Sequence, residues 1–139
     1  MSTTKTMNSF VHAASHNNLE VVAKTIDSAD AASLYSALWN AVKYNYEALV
    51  RLLLDSPRVQ AVAATKNNAC LIKAVENDSV AVVKMLLGVP AVAADAAITH
   101  NKALMLARIN MNAEMMDLLK VVPAIAAAPS TADILQGNL

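Results

Sequence analysis

Cys70 and His100 are the two residues of this chain whose types would supply a thiol nucleophile and a general base. Cys70 directly precedes Leu71 and shares its register with Ala103, so a small apolar slot accounts for it as well. His100 shares its register with Asn67. His12 and His16 are four residues apart, a helical spacing that brings two imidazoles to one face and is used by metal sites. His16, however, falls at a position that changes chemistry along the chain, as a solvent-facing residue would. No glycine-rich phosphate loop, acidic dyad or Walker-type stretch is present. The expectation is no catalytic residue, no metal and no cofactor, with a small Cys70-dependent enzyme as the distant alternative. The other chemistry is that of contact. Tyr35, Trp39, Tyr44 and Tyr46 cluster within one short stretch, and aromatic side chains of this kind often anchor interfaces.

The elements that must hold these residues repeat. Pro57, Pro90 and Pro123 recur at a step of 33 residues, and so do Leu38, Leu71 and Leu104; Ala41, Ala74 and Ala107; Leu53, Leu86 and Leu119; and Val59, Val92 and Ile125. Asn68 likewise matches Asn101. An earlier copy, FVHAASHNNLEVVAKTIDS, stands 28 residues before the second, with Ala13 in register with Ala41. A period in this range marks a solenoid.

Each copy reads as two short helices. The first runs over 10–16, 36–44, 69–77 and 102–110, the second over 18–26, 46–54, 79–87 and 112–120. Asn17, Asn45 and Asp78 fall between them, residue types that tolerate the left-handed conformation of a tight turn; Met111 departs from that pattern. Asn18, Ser79 and Asn112 suit the N-cap of the second helix, and Tyr46 does not. Ser56–Pro57 reads as a cap followed by proline in the first turn. Short helices are therefore expected after Pro57 and Pro90, with a shorter one after Pro123. Ser130 and Asp133 have the spacing of a capping box for a last turn over 131–136 before Gly137.

Helices of about nine residues are marginal alone in water, so stability must come from stacking. The alanine column, Ala13, Ala41, Ala74 and Ala107, implies close helix approach. Met115 and Met116 align with Val82 and Val83 and read as core. Arg108 replaces the Ala14, Val42 and Val75 of its column, as a solvent-facing end repeat requires.

Composition bounds the rest. Hydrophobic residues make up 56% and charged residues 16%, which argues against disorder. Eleven basic residues balance eleven acidic ones without a basic run, so neither nucleic acid nor an anionic membrane surface is expected as partner. No stretch offers the roughly 20 apolar residues of a membrane span, and the first residues lack the apolar core of a signal peptide. With a single cysteine no intrachain disulfide forms, which fits a reducing compartment. The expected location is cytoplasmic.

The first copy, FVHAASHNNLEVVAK, resembles the helical half of an ankyrin repeat, and the period of 33 is that family's. The chain departs from the family pattern in lacking the Thr-Pro-Leu-His start, in having two glycines in all, and in joining its repeats by alanine-rich segments rather than β-hairpins. Leu-Leu-x-x-Pro-x-Val followed by Asn-x-Ala-Leu is similar to repeats in effectors of intracellular bacterial pathogens, which implies secretion into a host cell as an alternative location.

The fold expected is all-α: an ankyrin-like helical solenoid of about four helix–turn–helix units, with short helical connections in place of hairpins. One domain covers 1–139, with units at about 9–35, 36–68, 69–101 and 102–128 and a C-terminal cap at 129–139. The resemblance implies a binding module without catalysis, whose recognition positions lie late in the first helix. In this sequence those are Ser15 and His16, Lys43 and Tyr44, Glu76 and Asn77, Ile109 and Asn110. Trp39 and Tyr46 join them as aromatic neighbours, with Tyr44 the favoured anchor. The partner is another protein, one that the chain regulates, inhibits or targets. The alternative is a structural protein that self-associates into a homodimer.

Overall fold

The computed structural model describes residues 10–137, apart from the side chains of residues 99 and 100. Helix α1 covers residues 10–15. It is followed by α2 (Leu19–Thr25), a 3-10 turn (Ile26–Ser28), α3 (Ala31–Lys43), α4 (Glu47–Leu54) and α5 (Pro57–Val62). The chain continues through α6 (Thr65–Glu76), α7 (Val80–Leu87), α8 (Pro90–Ala94) and α9 (Ile98–Ile109). It closes with α10 (Ala113–Lys120), α11 (Pro123–Ala126) and α12 (Thr131–Gln136). There is no strand among the described residues.

Two layers stack. Helices α3, α6 and α9 pack side by side in one; α2, α4, α7 and α10 pack in the other. The recurring apolar columns are the seam between them. Leu38, Leu71 and Leu104 are fully buried, as are Leu53, Leu86 and Leu119. The alanine column is buried from Ala13 to Ala107.

Each first helix ends in the same hydrogen-bonded turn. Asn17, Asn45, Asp78 and Met111 all have φ between 56° and 58°. The residue after each donates its backbone N–H to the alanine column: Asn18 to Ala13, Tyr46 to Ala41, Ser79 to Ala74 and Asn112 to Ala107, at 2.8–3.0 Å. With the companion bond from the left-handed residue itself, such as Asp78 N–H to Val75 at 2.9 Å, this is a Schellman closure. Met111 departs from the others in residue type but not in backbone: its own N–H donates to Arg108 and the Asn112 N–H to Ala107, as in the other three turns.

Asn18 and Asn112 cap the second helices through their side chains, accepting from Val21 and Met115. Ser79, Ser56 and Ser130 stand at N-cap positions but make no side-chain cap bond, so the capping box over 130–133 does not form. The three repeated prolines occupy the first turn of α5, α8 and α11, where a missing N–H leaves no gap in the helix.

The expected start of the second unit's first helix, Ser36, is five residues late. Asp30 accepts the Ser33 N–H at 2.8 Å and opens α3 at Ala31, because no proline-led helix precedes it to be joined by a turn. The two later copies are built otherwise. Lys66, Asn67 and Asn68 are all left-handed, forming a kinked turn before the regular part of α6, and Asn101 repeats the conformation in α9. Asn68 and Asn101 are buried there. Asn68 donates its amide to Val92 in α8 at 2.9 Å, and Asn101 donates to the Thr131 hydroxyl of α12 at 2.8 Å. The Thr131 hydroxyl in turn donates to the carbonyl of Ile125.

Arg108 does not face open solvent as the end-repeat argument expected. α12 packs on α9, and the guanidinium lies so close to Gly137 that a β-carbon there would come within 2.6 Å of Nη2. The stack is closed by α12 rather than by a charge.

Candidate functional site

The layer of first helices carries a continuous cleft. Its central part, about 490 Å³, lies between α3 and α6, with Trp39 and Ser36 on one side and Lys66 and Ala69 on the other. It adjoins a second hollow of about 390 Å³, which shares Trp39, Lys66 and Ala69 with it and runs past Ile72, Lys73 and Glu76 to Lys102 of α9. A third lobe of about 300 Å³ opens toward Ala31, Val62 and Thr65.

Repeat registry explains the cleft. Val11, Trp39, Ile72 and Met105 occupy one column, all half-buried on the face of the first helices that looks away from the second layer. Trp39 is the only large aromatic in that column. Its neighbours in the next repeat, Ala69 and Ile72, are smaller, so the indole stands against a recess.

The cleft is lined by three lysines against one glutamate. Lys73 pairs with Glu76 at 3.0 Å. Lys66 places its ammonium 4.6 Å from the centre of the Tyr35 ring, a cation–π contact that orients the charge without neutralising it. Among the described residues no carboxylate lies within ion-pair distance of Lys66 or Lys102.

Tyr44 is 51% exposed. Its ring lies 5.7 Å from that of Tyr46, and the Lys43 ammonium stands 5.4 Å from its centre. Tyr46 is half-buried and donates its hydroxyl to the carbonyl of Ser15 at 3.4 Å, which fixes the pair across the first two repeats. The Ser15 hydroxyl turns back to the carbonyl of His12, and His16 stacks on His12 with ring centres 4.2 Å apart. Ile109 is exposed.

Asn77 and Asn110 are placed differently from their column-mate Tyr44. Asn77 donates its side-chain amide to the carbonyls of Val42 and Lys43, the open end of α3. Asn110 reaches the carbonyl of Val75 and the carboxylate of Asp78, which also accepts from Asn112. These side chains fasten one repeat to the one before. Sequence reasoning reached Trp39 and Glu76 of the cleft but missed Lys66, Lys73 and Lys102. Their signal was present: the first helices carry Lys43, Lys66, Lys73, Lys102 and Arg108 against one acidic residue, Glu76.

Cys70 is fully buried, and burial pushes its thiol up to about 12, far from the thiolate a nucleophile needs. The side chain of His100 lies outside the described residues. Among the described residues no group of three or more histidine, cysteine or acidic side chains could hold a metal ion. No described helix is long and apolar enough to cross a membrane.

A family model of ankyrin repeats, in three copies, matches residues 10–99. Comparison with curated proteins and with solved structures gives no match. The three copies span α1 to the start of α9, and α9 and α10 repeat the same closure through Met111 and Asn112. Ankyrin repeats are in general protein-binding modules.

Proposed function

The chain belongs to the ankyrin-repeat family, and on that premise we propose that it binds a partner protein through the cleft across its first helices together with Tyr44 at the end of α3. The observation that carries this reading is Trp39: a large aromatic held half-exposed on a stacked frame, beside a recess that the smaller residues of the next repeat leave open. Such a ring offers contact area at little entropic loss, because the stack already fixes its backbone. Catalysis is not part of the reading, since Cys70, the one candidate nucleophile, is sealed in the core. Ser15, His16 and Lys43, with Glu76 and Ile109 downstream, share the late first-helix register of Tyr44 and its neighbours and complete the binding face of this reading. Asn77 and Asn110 contribute to binding by holding that face in register. A regulator, an inhibitor or an effector in a host cell would use the same face, and the cytoplasm of either cell suits a chain with one buried thiol.

The test is capture of partners from native lysate by wild-type, Trp39→Ala and Tyr44→Ala chains of matched melting temperature. A protein held by the wild type and lost with Trp39→Ala supports the cleft. Equal capture by all three refutes it. A second reading, self-association, has its own observation: Ile109, Met111, Val121 and Leu135 leave apolar surface exposed at the downstream end. Light scattering over a concentration series separates the two, because only that reading expects a dimer.

A further inference from the structure

We propose that the occupant of the cleft is an acidic peptide segment of the partner, one carrying a bulky apolar side chain flanked by carboxylates. This rests on the cleft being the binding face. Its charge is the first observation. Lys66, Lys73 and Lys102 line the cleft and Glu76 alone opposes them, although the whole chain is neutral. The compensating acids stand in the turns and connections, at Asp27, Asp30, Asp55, Asp78 and Asp95, while the second helices balance Glu20, Glu47, Glu114 and Asp117 against Lys24, Arg51, Lys84 and Lys120.

The second observation is how the lysines are held. Lys73 already has a carboxylate, but Lys66 and Lys102 have none within reach among the described residues. Lys66 sits in a left-handed turn and lies over the Tyr35 ring, so its ammonium is presented at the cleft wall rather than swinging free. An ammonium prepositioned against a ring face and lacking a counter-ion is complementary to a ligand carboxylate. Trp39, Ala69 and Ile72 give the same hollow its apolar lining, beside Asn67 and the Lys73–Glu76 pair. Apolar surface together with two unpaired cations matches a segment that carries a large apolar residue and carboxylates. A nucleic acid would also bring negative charge. The cleft holds one tryptophan and a glutamate, and the chain lacks the excess of basic residues that phosphate backbones require, so a peptide is favoured.

The experiment is selection of a displayed random dodecapeptide library on the full chain, with binding of an oligothymidine strand measured in parallel. The expected result is enrichment of net-negative peptides with a bulky apolar residue. A tryptophan-free synthetic version then shifts the emission of Trp39, the chain's single tryptophan. The double variant Lys66→Glu, Lys102→Glu weakens that peptide by about tenfold or more with unchanged helical circular dichroism, since both side chains are exposed. Enrichment of neutral or basic peptides, no enrichment, indifference to the charge reversal, or tighter binding of oligothymidine would overturn the proposal. Its failure is separable from failure of the cleft itself. A captured partner that depends on Trp39 but tolerates the charge reversal leaves the cleft standing and removes the acidic occupant, whereas a partner indifferent to Trp39 removes both.

Discussion

His16, Tyr44, Asn77 and Asn110 occupy one column of the stack, and the column divides the molecule in two. In the upstream half Tyr44 projects outward, supported at its flank by Tyr46 and Lys43. Downstream, Asn77 and Asn110 remain at the surface but reach back and donate to the preceding repeat. The backbone is the same at all these places: the last turn of a first helix, followed by a left-handed residue. The difference is therefore one of side-chain reach and chemistry. A short amide finds the unfilled carbonyls at the end of the neighbouring helix. A phenol ring is too large to do so and stays at the surface. Variation along a column of repeats is thus compatible with recognition at one level and fastening at the next.

The largest effect is expected from the frame that both halves share. Leu86 is fully buried in α7, between the repeats fastened by Asn77 and Asn110. Leu86→Ala should lower stability by roughly 2–5 kcal/mol, through lost burial and the cavity left behind. Urea denaturation measures this, and a loss below about 0.5 kcal/mol would put Leu86 outside the packed seam. Because each repeat leans on its neighbours, the loss should appear in the melting of the whole stack.

Tyr44→Ala comes next, and here the two halves should part. The ring is half-exposed, so the melting temperature should hardly move, while partner affinity falls by at least about 2 kcal/mol if the ring is an anchor. Calorimetry of binding beside thermal denaturation of the free chain checks both. Asn77→Ala should show the opposite profile. It removes donors to Val42 and Lys43 and should lower stability by about 0.5–1.5 kcal/mol, with a smaller effect on binding than Tyr44→Ala. A stable Asn77→Ala chain with weakened binding would erase the division of the column and return Asn77 to the recognition edge.

The frame was legible because close packing repeats its demands. A leucine between layers and an alanine where helices touch must recur at every turn of the stack, so the step of 33 places the layers, the turns and the proline-led helices. Even the last short helix and its left-handed Gly137 follow from local residue types. The site was less legible. Asn77 and Asn110 look like solvated polar residues until the neighbouring repeat is in view, since their acceptors lie about one period away in sequence. Lys66 belongs to a kinked turn whose Asn67 and Asn68 are of the type that tolerates it, but its position against Tyr35 depends on contact between α3 and the start of α6. The surroundings of Arg108 are equally non-local: its cover, α12, arrives from beyond the last repeat.

The smallest effect tests the turn that both halves have in common. Asn17, Asn45 and Asp78 enter the left-handed region with side chains that tolerate it, and Met111 enters it without that help. For an ordinary L-residue the conformation is disfavoured by about 1–2 kcal/mol, from the approach of the β-carbon to the following carbonyl oxygen. Met111 has no compensating burial, since its side chain is 88% exposed. The backbone bonds from Met111 to Arg108 and from Asn112 to Ala107 hold it in place, and both survive a change of side chain. Met111→Asn should therefore stabilise the fold by about 0.5–1 kcal/mol, and Met111→Gly by a similar amount after its greater freedom in the unfolded chain is allowed for. Denaturant midpoints of the two variants measure this to the needed precision. A loss of stability in both would mean that the exposed methionine makes contacts which outweigh the strain. The downstream end would then have an apolar surface that contributes to the fold, which the upstream turns at Asn17 and Asn45 have no side chain to provide.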